Sequence, residues 1–507
     1  MPALSELLSQ GRAVGHHRPW PRTAVSREVW ETASRYLFEA RLTLLGLWGE
    51  AQAVHMALLD NEQGGIGVVS LECPEGRFPS VARLNPAAIR PERAIADLFG
   101  LVAEASPDDR PWLDHGRWST AHPLGTAKAV AGDAPRAYPF LPVEGEDLHQ
   151  IPVGPVHAGI IEPGHFRFTA SGETVVRLEE RLGYVHKGIE GLMQGADLDR
   201  AARLAGRVSG DSTVAYGLAF ARAAEDAAGI GVPARAVRLR ALMAELERLA
   251  NHFGDIGAVC NDASFVLMHA HCAVLRERVL RASEACFGHR LLMDRIVPGG
   301  CAIDLGADGT ALLRALIAEI HRSFPQLIEL YDNTASLQDR TVGTGTISAA
   351  LVRRFGCGGF IGRAAGRAFD ARRSPGYAPY DQLRFEVPVR DEGDVNARIW
   401  LRIREVEQSV ALIGQILESL PDGAVRAEAA PGGLDHVAEG MALVEGFRGD
   451  ILVWLRLGPG GRVDRCHLRD PSWFQWPLLE AAIEGNIVAD FPLCNKSFNC
   501  SYSGHDL

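Results

Sequence analysis

Long hydrophobic runs, closely spaced cysteines and lysines are all scarce in this sequence. No run of about 18 apolar residues occurs, and the N-terminus has no apolar segment of signal-peptide length. The nine cysteines form no CxxC pair, which favours buried thiols in a reducing compartment. A net charge of -11, with only three lysines, excludes an extended nucleic-acid surface. We therefore expect a cytoplasmic protein with no nucleic-acid partner, whose membrane contacts come only through other subunits.

Two domains are expected, because 507 residues with 47% apolar side chains exceed one ordinary core. Short β-prone runs at 53–58 and 66–71 flank a turn, which predicts antiparallel strands. Residues 91–100 begin with proline and end with glycine, as a short helix does. Residues 103–150 lack sustained periodicity. We predict a small N-terminal α/β domain over residues 1–125 and a linker over 126–150.

Residues 151–507 are predicted to form a larger, mainly helical domain that begins with a small β-hairpin. The runs 165–169 and 174–178 flank a Ser-Gly-Glu turn and lead towards a helix near residue 189. Apolar residues between Val237 and Ile256 recur at the spacing of one helix face. The predicted fold class is therefore α+β.

Four segments of this domain contain polar residues whose roles the residue types alone leave open. His157 lies in a Gly-Pro-rich turn, Glu245 and His252 share one face of the helix around residue 245, and two further segments contain Ser209, Asp211, Ser212, Cys494 and Cys500. Two simpler interpretations stay open. The serines are suited to capping a helix N-terminus, and the helix face is either solvated or the place of a buried ion pair that is structural or handles protons.

Several strings, in order along the chain, resemble one family. They are ERAIADLFGL (92–101), DDRPWL (108–113), GYVHKGIEG (183–191) and AELERLANH (244–252). Over residues 40–507 the sequence resembles the fused C and D subunits of complex I. It is equally similar to the large subunits of group 4 energy-converting nickel–iron hydrogenases of the formate hydrogenlyase type.

The resemblance implies site positions but also removes the nickel ligands. It places His157 at a quinone head group. It places Ser209 and Ser212 where hydrogenases have the cysteines of RxCGxC. It places the C-terminal pair Cys494 and Cys500 at the DPCxxC position, but these two cysteines are six residues apart instead of three. Neutral hydroxyls cannot replace the soft thiolates that hold nickel. We therefore expect no metal in this chain, and vestigial metal-ligand or quinone-cavity positions at His157, Ser209, Ser212, Cys494 and Cys500.

Four residues are the candidates for catalysis: His157, Asp211, Glu245 and His252. The family also implies that His157, Asp211, Cys494 and the C-terminal tail converge, with His157 within about 20 Å, or two helix diameters, of Cys494. The tyrosine that complex I uses beside its quinone is missing between residues 203 and 212. The sequence ends directly after the cysteine motif. We therefore expect no C-terminal extension of the kind that many hydrogenases lose during nickel insertion.

The leading hypothesis is a core subunit of an NADH:quinone oxidoreductase-like or energy-converting hydrogenase-related complex, lining an electron-acceptor cavity and inactive alone. The alternatives are a redox-silent structural or coupling subunit and an active nickel–iron hydrogenase large subunit. No tightly bound cofactor is expected in this chain, and a quinone remains open as a ligand. The expected partners are a small iron–sulfur subunit that holds the cluster, membrane proton-translocating subunits and other peripheral-arm subunits at the inner face of the cell membrane.

Overall fold

The computed structural model describes residues 2–126, 129–130, 137–158, 161–427 and 434–507. Parts of the predicted linker, residues 127–128 and 131–136, lie outside this range, as do Gly159 and Ile160. The described helices are α1 (Ala3–Ser9), α2 (Arg27–Phe38), α3 (Ile89–Phe99), α4 (Ile189–Met193), α5 (Leu198–Ala205), α6 (Thr213–Ala228), α7 (Ala234–Asp262), α8 (Val266–Phe287), α9 (Gly309–Asn333), α10 (Ala335–Thr341), α11 (Ala349–Arg354), α12 (Gly359–Ala364), α13 (Val395–Glu418), α14 (Ser472–Ile483), α15 (Phe491–Phe498) and α16 (Tyr502–Asp506).

The strands are grouped in several sheets. They are β1 (Arg12–Ala13), β2 (His17–Arg18), β3 (Arg22–Ala24), β4 (Leu42–Glu50), β5 (Ala53–Asp60), β6 (Ile66–Glu72), β7 (Arg77–Pro79), β8 (Val102–Glu104), β9 (Thr120–Ala121), β10 (Ala129–Val130), β11 (Leu148–Val153), β12 (His165–Ser171), β13 (Thr174–Arg181), β14 (Ile296–Val297), β15 (Gly300–Cys301), β16 (Ala438–Glu445), β17 (Asp450–Leu457) and β18 (Val463–Arg469). Short 3-10 turns precede α3, α6 and α15. The α+β fold class is confirmed.

The N-terminal sheet has the strand order β1-β3-β6-β5-β4. The antiparallel pairing of β5 and β6 was predicted, and β4 adds an antiparallel strand that was not. Helices α2 and α3 flank it. The side-chain oxygen of Ser26 accepts the backbone N–H of Val29 at the start of α2, and Gly100 ends α3 with a φ of 73°. The predicted helix at 91–100 is therefore real and begins two residues earlier.

The predicted hairpin of β12 and β13 is present and antiparallel, and β11 adds a third strand to it. Since β11 starts at Leu148, regular structure begins inside the predicted linker. The predicted helix around residues 237–256 extends as α7 over 29 residues. Its length follows from an almost continuous run of buried side chains on more than one face.

A second sheet, with the order β18-β17-β16-β2, was not predicted. Every residue of β16 is buried, because both faces of the strand are covered. Met441 and Leu443 pack with the N-terminal sheet, whereas Ala442 and Val444 join the helical core. Alternate residues of a strand point to opposite faces, so one strand contributes to both hydrophobic clusters. The short strand β2 pairs with β16 in parallel, which brings the N-terminal residues into this C-terminal sheet.

Candidate functional site

A polar cluster surrounds Asp211 in the 3-10 turn before α6. Arg448 donates two hydrogen bonds to the two carboxylate oxygens of Asp211, each 2.7 Å long. The hydroxyls of Ser209 and Ser212 donate to Oδ1 of Asp211 at 2.8 and 3.2 Å. The Oγ of Ser501, from the C-terminus, lies 3.1 Å from Oγ of Ser209. The place that the family resemblance assigns to metal ligands is thus occupied by one ion pair and three hydroxyls.

The capping interpretation of Ser209 and Ser212 is wrong. Neither side chain accepts a backbone N–H at the helix start. The carboxylate of Glu247 performs that role from α7, accepting the backbone N–H groups of Val214 and Ala215 at 2.7 and 3.1 Å. A carboxylate already accepts these backbone N–H groups, so the serine oxygens are not required as caps. The serine hydroxyls donate instead to Asp211.

Asp211 is held as a carboxylate. Burial alone would raise its pKa, but the Arg448 guanidinium and the hydrogen bonds from the two serines outweigh burial and lower the pKa. Beyond this pair, Asp255 accepts hydrogen bonds from Asn499 at 2.8 Å and from Arg402 at 3.0 Å. Arg448 also donates to the backbone oxygen of Asn499. Polar contacts therefore continue from Asp211 into the helical core.

The two C-terminal cysteines lie apart from this cluster in the hydrogen-bond network. Cys494 is on α15, beside Gly345 and Arg398, and burial raises the pKa of its thiol to about 11. Burial and the nearby Glu180 raise the pKa of Cys500 further. None of the hydrogen bonds of the clustered serines goes to either thiol. Both cysteines are therefore neutral at physiological pH.

The residues present do not fit a nickel–iron centre. Such a centre needs several anionic thiolates, whereas this cluster offers hydroxyls and the cationic Arg448. Among the residues that the structure describes, no three His, Cys, Asp or Glu side chains are grouped closely enough to hold a metal ion. We therefore assign no reaction step in this chain to nickel.

His157 lies on the turn before β12 and is half-buried. One ring nitrogen, Nε2, is 2.8 Å from the backbone oxygen of Gly164. The ring centroid of His157 lies 5.7 Å from that of Phe166, which in turn is 6.1 Å from that of Trp476. Trp476 donates its indole N–H to the backbone oxygen of Ser501. Aromatic rings thus stand between His157 and the Asp211 cluster, and the two do not touch directly.

Glu245 and His252 belong to a fully buried ionic network, so the solvated-face interpretation is wrong. Arg372, Tyr380 and Ser409 each donate to the carboxylate of Glu245, at 3.0, 2.7 and 2.6 Å. Burial alone would raise the pKa of Glu245, but these partners lower it. The buried ion pair is present, between Glu245 and Arg248, and its role in handling protons stays a prediction.

His252 pairs with Glu405 from α13 at 2.8 Å. Arg363 also donates to Glu405, at 2.6 Å, and to Glu445 at 2.9 Å. Burial lowers the pKa of His252, so the neutral imidazole donates to the carboxylate. Arg248 connects the two halves of the network, since its guanidinium lies 3.4 Å from Glu245 and 3.6 Å from Glu405.

Sequence reasoning missed Arg448, Arg363 and Glu405. It did not single out Ser501, but this serine belongs to the C-terminal tail that was expected to approach Asp211. Arg448, Arg363 and Glu405 lie outside the family-like strings, and each meets its partner only through the tertiary fold. A lone arginine or glutamate in a single sequence most often lies on the surface, so no local signal marks these residues.

Two family models match the chain. The model described as the respiratory-chain NADH dehydrogenase 30 Kd subunit matches residues 25–133, and that of the 49 Kd subunit matches residues 262–436. Formate hydrogenlyase subunit 5 of Escherichia coli (strain K12) is 31% identical over 450 residues, covering 86% of this chain and 78% of the relative. The carbon monoxide-induced hydrogenase of Rhodospirillum rubrum is 32% identical over 352 residues, covering 69% of this chain and 97% of the relative.

A fused C/D protein of the NADH-quinone oxidoreductase from Bacteroides thetaiotaomicron is 27% identical over 465 residues, covering 87% of this chain and 85% of the relative. A solved chain from the membrane-bound sulfane sulfur reductase, an archaeal respiratory membrane complex, matches with a TM-score of 0.68 and 25% identity, over 72% of this chain and 100% of that chain. The fold and the matches define a hydrogenase-like subunit of an oxidoreductase complex. This chain belongs to the family of complex I 30 Kd and 49 Kd subunits and hydrogenase large subunits.

Within the described ranges, no helix is both long enough and apolar enough to span a membrane.

Proposed function

We propose that this chain is a redox-silent core subunit of a membrane-associated oxidoreductase complex, where it adjoins a small iron–sulfur subunit without holding a redox metal itself. The observation that carries the proposal is the bidentate contact between Arg448 and Asp211. A guanidinium at this point repels a metal cation, and the surrounding hydroxyls of Ser209, Ser212 and Ser501 are poor nickel ligands. The subunit then serves as a scaffold and transmits changes between its partners.

The buried ions give such a subunit a physical means of coupling. Glu405 interacts with Arg363, His252 and Arg248 at once, and Arg363 also pairs with Glu445. A change of charge or position at one member alters the balance at the others, because water cannot screen them at this depth. Membrane proton-translocating subunits and other peripheral-arm subunits complete the proposed complex. The multi-subunit nature of the relatives supports this proposal.

A second candidate is that the chain lines a quinone-like acceptor cavity beside the iron–sulfur subunit. Exposed apolar side chains next to His157 favour it: Val156 is 83% exposed and Ile161 is 38% exposed. Exposed apolar residues beside a histidine suit either a partner surface or an apolar acceptor with a polar head.

The test uses the complex purified anaerobically through a tag on this chain. We expect iron from the partner without stoichiometric nickel, and no hydrogen turnover. Stoichiometric nickel with hydrogen turnover would overturn both candidates.

Quinone reduction by the same complex separates the two candidates. The variant His157→Phe is compared with His321→Phe, which replaces an exposed histidine of α9. Equal quinone reduction by both variants supports the redox-silent subunit. A selective loss of at least tenfold in His157→Phe supports the acceptor cavity.

A further inference from the structure

A cleft of about 580 Å³ lies between the N-terminal domain and the C-terminal sheet, away from the Asp211 cluster. Residues from β4, α3, β18, α14 and the loop before α4 line it. Its volume falls in the range of small-molecule sites, roughly 300–1,000 Å³. The walls are predominantly apolar, and five aromatic side chains contribute to them: Trp48, Phe99, Trp118, Trp473 and Phe474.

Two buried hydrogen-bond donors at this cleft lack acceptors. The indole Nε1 of Trp48 and the Nε of Arg465 have no hydrogen-bond partner within the part of the chain that is described. Trp48 is 2% exposed and Arg465 is 6% exposed. Leaving such donors unsatisfied destabilises the folded state, so native structures usually supply an acceptor. An oxygen-bearing group in the cleft would meet this need.

Charge at the cleft favours an anionic group. Three of the lining side chains are cationic, but Arg465 pairs with Glu190 and Arg469 pairs with Asp450. Lys187 is the lining cation that has no carboxylate within salt-bridge distance in the described part of the chain. The Glu190 carboxylate is already neutralised, since Arg465 lies 2.7 Å from Oε2 and His467 Nδ1 lies 2.8 Å from Oε1. Nδ1 of His467 therefore donates to Glu190, and Nε2 has no partner among the described residues.

We propose that this cleft is a binding site for an amphipathic carboxylate, a ligand with one anionic head and an apolar tail. The head accepts hydrogen bonds from Trp48 and Arg465, and the tail lies against the aromatic and aliphatic walls. The site is independent of the redox-silent role proposed above. It joins the N-terminal domain to the C-terminal sheet, so an occupied site stabilises their contact.

The proposal is tested by titrating the purified full chain with dodecanoate, below its micelle-forming concentration, in a calorimeter. We expect saturable binding at one site per chain. Dodecanol, which has the same tail without the charge, should bind at least tenfold more weakly. Absence of dodecanoate binding, or equal binding of both probes, overturns the proposal.

Substitution of one tryptophan at a time provides a matched control. Trp454 is as buried as Trp48, and its indole nitrogen also lacks a partner in the described residues, but Trp454 does not line the cleft. Trp48→Phe removes one donor to a charged head, so the dissociation constant should rise about tenfold, while Trp454→Phe leaves it unchanged. Equal losses in the two variants would refute the assignment.

A third variant covers the case in which Trp48→Phe fails to fold. Arg465→Lys keeps the positive charge beside Glu190 and deletes the unpaired Nε–H, and should also weaken dodecanoate about tenfold. Unchanged binding by a folded Arg465→Lys variant would contradict the proposed head position.

Discussion

Replacement of Glu405 by glutamine should destabilise the protein more than its small change in volume suggests. The carboxylate of Glu405 is fully buried and contacts Arg363, Arg248 and His252. Burial alone would raise the pKa of Glu405, but Arg363 and His252 hold it well below its usual value. Glutamine keeps one acceptor oxygen, removes the negative charge and presents an amide N–H₂ to neighbours that are themselves donors.

The magnitude follows from the charge that is left behind. Arg363 retains Glu445 as a partner, but Arg248 and Arg363 together lose the carboxylate that they share. Removing one partner of a buried ion pair costs about 3–5 kcal/mol. Since a folded protein is typically stable by about 5–15 kcal/mol, Glu405→Gln should lose a large fraction of the total.

Urea unfolding followed by circular dichroism measures the loss, with Glu277→Gln as the control. Glu277 also accepts from two arginines, Arg281 and Arg290, but on the surface, where water screens the charges and the pair contributes little. The unfolding midpoint of Glu405→Gln should fall clearly below that of Glu277→Gln. Equal midpoints for the two variants would refute the view that the buried network is tightly coupled.

Three further outcomes are expected. In a urea titration, Gly345→Ala should lower the free energy of unfolding by about 1–3 kcal/mol more than Gly343→Ala does. Both glycines have a positive φ, but only a Cβ at position 345 would come within 2.6 Å of the Cys494 sulfur. Burial would raise the pKa of Glu190, but Arg465 and His467 lower it to about 2. Glu190 therefore contributes stability above pH 4.5 that is lost as the pH falls towards 2. Glu190→Gln should make the unfolding free energy less dependent on pH over that window, and an unchanged slope would contradict the pairing. All nine cysteines are buried, so a thiol reagent should label the native chain slowly and the urea-unfolded chain completely. Mass spectrometry measures the labelling, and rapid labelling of the native chain would argue against this packing.

Sequence periodicity was sufficient for the elements whose signals are local. The β-prone runs of β5 and β6, the hairpin of β12 and β13 and the apolar face of α7 are all present where predicted. The sheet of β16, β17 and β18 was not predicted. Its strand β16 is buried on both faces, as β5 is, so burial alone does not separate the strand that was missed from those that were found. The boundary near residue 150 remains a prediction.

The site could be predicted only in part. The family strings pointed to Ser209, Asp211 and Ser212, and the structure joins these residues in one cluster. The third hydroxyl comes from Ser501, one residue beyond the cysteine on which the spacing argument concentrated, and the cation comes from Arg448 in a turn between two strands. A single sequence does not reveal which distant residues meet, so the catalytic roles of His157, Asp211, Glu245 and His252 stay predictions.

The parallel pairing of β2 with β16 has a consequence for how the chain is made. Next to this pairing, Arg22 contacts Glu439, 417 residues further along the chain. At about 5–20 residues per second of synthesis, the first strand waits roughly 20–80 s before its partner leaves the ribosome. During that interval the edge of β2 is exposed, and its two-residue length limits the surface that it offers to other chains. The N-terminal sheet can fold early, whereas closure of the C-terminal sheet is a late event of translation.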